Sequence, residues 1–123
     1  MVDQPSVLLW KDLHDIADKV CVHFGLAYGK LLPETRTRAR CYGETSACDR
    51  CQNSPYVDPR NCNEKLLRVR VHVLNKKKPL ANSTIIRTLA HEMAHLREWD
   101  HSPAHKEFEL EILEFIRDLG YDV

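Results

Sequence analysis

Two histidines four residues apart, His91 and His95, flank a glutamate in the run His91-Glu92-Met93-Ala94-His95. On an α-helix four residues advance about 400°, so the two imidazoles stand about 40° apart, one turn along the same face. Ring nitrogens so placed can share one tetrahedral metal ion. Glu92 lies next to that face, where its carboxylate can take a proton from a metal-activated water and later return it to a leaving amine. The helical wheel argues against ordinary core histidines: Ile85, Ile86, Leu89, Met93 and Leu96 form the apolar stripe, and His91 and His95 fall outside it beside Thr88.

A catalytic zinc site needs a third protein ligand. His101 follows a turn at Trp99-Asp100, where Asp tolerates left-handed backbone. His105 is the alternative, one turn into the next helix on the side of Phe108 and Ile112, and a carboxylate such as Glu107 is a third option. The spacing leaves this choice open.

A second group of metal-ligand side chains lies upstream. Cys48-x-x-Cys51 is a plausible metal knuckle, and Cys41 and Cys62 flank it with six and ten intervening residues. Four thiolates would form a closed structural zinc site and staple the loop that carries them, which spans about 41–63. Cys21 reads as a small apolar residue in the first helix. The cysteine count of five is odd and no basic-apolar leader precedes it, so thiols or a metal in a reducing compartment fit better than disulfides. The expectation is an intracellular protein, cytoplasmic or nuclear, that is neither secreted nor membrane-spanning.

These residues need a scaffold. A first helix is expected from a Ser6 cap to Gly25, with Val7, Leu8, Leu13, Ile16, Ala17, Val20 and Phe24 on its apolar side. Alternation predicts one strand over Thr35–Cys41 and a clearer one over Leu67–Val73. Between them, residues 43–63 carry Gly, Pro, Asn and Asp with few apolar side chains, which predicts an ordered loop. Asn82 or Ser83 caps the histidine-bearing helix, expected to run to about Trp99; Ser102 with Pro103 opens a last helix closing at Gly120. The fold class is therefore α+β: a small antiparallel sheet packed against an N-terminal helix, the active-site helix and a C-terminal helix. With 123 residues and 43% apolar content, residues 1–123 fit a single domain.

Net charge is zero, yet Lys and Arg dominate 60–78 and acids dominate 98–122. Arg36, Arg38 and Arg40 alternate in one predicted strand, and Arg68 and Arg70 in the other, so a basic sheet face could track the phosphates of DNA.

The run Thr88-Leu-Ala-His-Glu-Met-Ala-His95 followed by His101-Ser-Pro resembles the WLM and SprT-like metallopeptidases, the group that includes Spartan-type proteases. The similarity extends upstream through Leu66–Leu74 and covers residues 66–119. It implies that His91, His95 and His101 are the zinc ligands and Glu92 the catalytic acid/base. It also implies action on proteins crosslinked to DNA. Four residues after its third histidine the family usually carries an aromatic residue, whereas this chain has His105. Metzincins share the spacing, but they carry a glycine where Glu98 stands here and a downstream methionine turn, and no Met follows Met93.

The expected activity is zinc-dependent hydrolysis of peptide bonds in a protein or peptide substrate, whose backbone could pair with the edge of the Leu67–Val73 strand. The alternative is a catalytically weak, zinc-stabilised binding module for nucleic acid or protein, in which Glu92 would have no task.

Overall fold

The computed structural model describes residues 10–35, 42–56, 58–71 and 80–123. In chain order they form helix α1 (Trp10–Phe24), strand β1 (Lys30–Pro33), strand β2 (Gly43–Ser46), a short helix α2 (Asp49–Gln52), a 3-10 turn (Pro59–Asn61), strand β3 (Leu66–Val69), helix α3 (Asn82–Ala94) and helix α4 (Pro103–Asp118). The α+β class holds. Among the described residues no helix is long and apolar enough to cross a membrane.

The sheet is mixed rather than purely antiparallel. Its order is β1-β3-β2, with β3 parallel to β1 and antiparallel to β2. Pro33 at the end of β1 and Gly43 at the start of β2 both pair with Val69. Pro33 and Gly43 therefore stand about 10 Å apart, at two strand spacings. This topology places β3 in the centre, so the strand expected over Leu67–Val73 is not an edge. Among the described residues, the edges are β1 and β2.

Two strands sit where alternation did not put them. β1 lies upstream of the expected Thr35–Cys41 strand, whose residues 36–41 fall outside the described ones; Thr35 itself follows β1 outside any strand. β2 forms within the expected 43–63 loop from Gly-Glu-Thr-Ser, which has no apolar side chain. It is a strand because β3 offers it a backbone ladder, not because of local propensity.

The helices follow their sequence signals more closely. In α1, Leu13, Ile16, Ala17 and Val20 are buried at helical spacing, and the chain leaves through Gly25 at φ +69°, a conformation suited to glycine. The Ser6 cap lies outside the described residues. α3 packs against β2, β3, α1 and α4, and its Ile85, Ile86, Leu89 and Met93 join Leu67, Val69, Ile112 and Ile116 in the core. Its regular ladder ends at Ala94 rather than Trp99: Leu96 and Arg97 bond back three residues, to Met93 and Ala94, tightening the last turn. α4 begins as expected, with Pro103 in its first turn and the Ser102 side chain accepting from the His105 amide.

Candidate metal centre

α3 carries His91 and His95 to the floor of a cleft of about 760 Å³. The turn after the helix folds back at Asp100, where the Ser102 amide donates to the Asp100 carbonyl at 2.8 Å, and delivers His101 to the same place. His101 Nε2 lies 3.1 Å from His91 Nε2 and 3.2 Å from His95 Nε2. Ligand nitrogens about 2.0–2.1 Å from a tetrahedral zinc are separated by about 3.3 Å, close to these two separations, and the ligand atoms of all three histidines lie within 4.8 Å of one another.

The outer ring nitrogens fix which tautomers these are. His95 Nδ1 faces the Glu98 carbonyl at 3.1 Å. A carbonyl can only accept, so Nδ1 carries the proton and Nε2 is left with a bare lone pair. His91 Nδ1 donates in the same way to the Glu109 carboxylate. Two lone pairs therefore face a third ring nitrogen, a grouping placed to hold a metal ion. Burial and the neighbouring His105 push the His95 pKa down to about 4, which keeps its ring neutral as a ligand must be.

His105 has a different place. It is 3% exposed, stacks on His95 with ring centroids 4.1 Å apart, and its Nε2 donates to the His91 carbonyl at 3.1 Å. That bond occupies one of its two ring nitrogens, and His105 is not among the residues lining the cleft. It could still meet a metal with His91 and Glu109 on the far side of the His91 ring, a second grouping within ligand reach. Among the described residues, His101 is the one grouped within ligand reach of both His91 and His95. Glu107 is exposed on α4.

Glu92 is only 6% exposed and accepts a hydrogen bond from Thr45 Oγ1 at 2.9 Å, while the same hydroxyl lies 2.8 Å from the Glu92 carbonyl oxygen. Burial raises its carboxyl above the usual range, opposed by the Thr45 hydrogen bond. β2 can approach this closely because residue 43 is glycine. A Cβ there would lie 2.7 Å from the Arg68 carbonyl oxygen, 2.7 Å from Thr88 Cγ2 and 3.0 Å from Glu92 Cγ. Thr45 and Glu109 were not legible in the sequence: the first sits in an apparent loop, the second is one acid among several on α4.

Two outcomes follow here. Glu109→Gln should weaken metal affinity about 10–100-fold, as removal of a carboxylate behind a ligating histidine does, measured by competition with a chromogenic chelator. The metal-free protein should lose stability as pH falls from about 6.5 toward 4, because the unfolded chain then takes up a proton at His95 that the folded chain refuses. Melting curves with chelator at pH 7 and pH 5 would read this.

Of the remaining expected residues, Cys48, Cys51 and Cys62 come together within ligand reach of one another, and Cys41 lies outside the described residues. Arg36, Arg38 and Arg40 lie outside them too. Arg68 is half-buried and donates to Ser46 Oγ at 3.3 Å, and Arg70 is only 6% exposed. The described residues thus contain histidine and cysteine groups placed to bind metal ions. Comparison with protein-family models, curated proteins and solved structures finds no match.

Proposed function

We propose that the protein is a zinc-dependent peptidase of the WLM and SprT-like kind, with His91, His95 and His101 as ligands and Glu92 as general base and acid. The observation that carries this reading is the convergence of three Nε2 atoms in a cleft that also holds a buried, hydroxyl-braced glutamate. Three imidazoles suit zinc, and an exposed His101 leaves the cleft side open for a fourth partner. When bound, the ion supplies Lewis acidity toward a scissile carbonyl and lowers the pKa of water.

The chain's own groups do the rest. The carboxylate of Glu92, its basicity raised by burial, accepts the proton of the attacking water and returns it to the leaving amine. The Thr45 hydroxyl holds the carboxylate's orientation. Tyr42, Gly43, Glu44 and Thr45 line one side of the cleft, and Thr84, Arg87 and Thr88 of α3 line the other. Among the described residues β2 is an edge strand, so an extended substrate could add to it, where the central β3 could not receive one. Proteins attached to DNA remain a substrate class proposed from the sequence resemblance alone. The braced Glu92 favours an enzyme over a binding module, which has no use for a buried carboxylate that costs stability.

Hydrolysis of an unfolded protein substrate should stop on chelation and return with zinc. His101→Ala should lose both metal and hydrolysis, whereas His105→Ala should keep the metal. The opposite pattern would move the third ligand to His105, and hydrolysis that survives chelation would end the reading.

A further inference from the structure

We infer that Cys48, Cys51 and Cys62 form a second metal site, a thiolate clasp for a zinc-type ion that closes the connection between β2 and β3. The inference does not depend on the histidine site. Cys62 Sγ lies 3.6 Å from Cys48 Sγ, and all three sulfurs lie within 4.8 Å of one another. A disulfide would bring two of them to about 2.05 Å. Thiolates on a tetrahedral zinc, each about 2.3 Å from the ion, stand about 3.8 Å apart, much closer to the spacing seen. The Cys48 amide also points at Cys62 Sγ, 3.4 Å away, as a backbone donor does toward a ligating sulfur.

The position of the group gives it a structural task. The β2–β3 ladder ends at the pair Ser46 and Leu66. Cys48 lies two residues after Ser46 and Cys62 four residues before Leu66, so an ion here would join the two strands just past their last pair. The segment needs such a closure: between 48 and 64, Cys62 is the one buried residue among those described. A long connection with so little apolar burial cannot pack its own core. Other ties are polar and mostly exposed: Arg60 pairs with Asp100 at 3.5 Å and Arg50 with Glu64 at 3.7 Å. The buried Lys65 ammonium donates to the Cys62 and Arg60 carbonyls and lies 5.8 Å from the centre of the Trp99 ring, which also lines the histidine cleft. The clasp therefore holds β2, and with it Thr45, at the shoulder of the cleft. Among the described residues no fourth ligand atom joins the three sulfurs. Three thiolates select a zinc-type ion over calcium or magnesium, which prefer oxygen.

Purified under reducing conditions and loaded with zinc, the wild-type protein should carry two ions per chain by elemental analysis. Cys48→Ser with Cys51→Ser should carry one, and His91→Ala should also carry one. Because the double cysteine variant could fold poorly, cobalt loading of intact protein supplies an independent reading. A thiolate-to-cobalt charge-transfer band in the near ultraviolet should appear in wild type, persist in His91→Ala and weaken in Cys51→Ser. One ion in wild type with no such band, freely alkylated Cys48, Cys51 and Cys62 after zinc loading, or a Cys48–Cys62 disulfide that persists in reductant would each overturn the clasp. Those results would leave the histidine site untouched, since its own ion is lost only in the histidine variant.

Discussion

Glu92→Gln is expected to leave the histidine site loaded and to lower peptide hydrolysis by about 10²–10⁴-fold, the usual contribution of general acid–base catalysis. The amide keeps the side chain's shape, and its oxygen can still accept from Thr45 Oγ1. It cannot take a proton from water. Stability should move the other way or not at all: burial raises the Glu92 pKa, which means the folded protein disfavours the ionised form that exists at neutral pH. A neutral amide removes that cost, and a catalytic group is where a fold tolerates it. Hydrolysis rates, bound zinc and melting temperature, measured on the same preparation, separate this from a structural role. If Glu92 only held β2 to α3, the variant would melt earlier and lose activity in proportion.

Gly43→Ala should act through the other wall of the cleft. One added Cβ meets the Arg68 carbonyl of β3 as well as Thr88 and Glu92 of α3, and the backbone oxygen has no flexible end to swing away. β2 must therefore shift outward. Overpacking of this kind costs about 1–3 kcal/mol. The melting temperature should fall by several degrees, and hydrolysis should fall further than stability explains, because Thr45 leaves Glu92 and the strand edge leaves the histidines. Zinc content should stay at the wild-type value, since His91, His95 and His101 all lie on α3 and the turn after it. Full activity in this variant would mean that the close seating of β2 has no part in catalysis.

What could be read in the sequence was whatever depends on short range. The His91-Glu92-His95 spacing has meaning on any helix, and Ile85, Ile86, Leu89 and Met93 of the expected stripe are buried, although His95, expected outside it, is also only 7% exposed. Ser102 and Pro103 announce α4 because a cap and a fixed φ are local properties. The rest needed the tertiary structure. Gly-Glu-Thr-Ser becomes β2 only because β3 pairs with it, and without β2 neither Thr45 nor the substrate edge can be located. β1 has four residues and no alternation to reveal it. Its parallel pairing reversed the expected role of β3, from edge to centre. Glu109 is indistinguishable in sequence from Glu107 and Glu111. Packing of α4 on α3 turns that one carboxylate toward His91. Arg70 looked solvent-facing from its alternation with Val69 and Val71, but both faces of β3 are largely covered.

Anomalous diffraction at the zinc absorption edge, on crystals of the purified protein, tests the metal centre most directly. The account predicts a peak about 2.0–2.1 Å from Nε2 of His91, His95 and His101 together, on the cleft side of α3 and within reach of a water beside Glu92. A peak lodged instead between His105 and Glu109, or no ion at the three histidines of zinc-loaded protein, would contradict it.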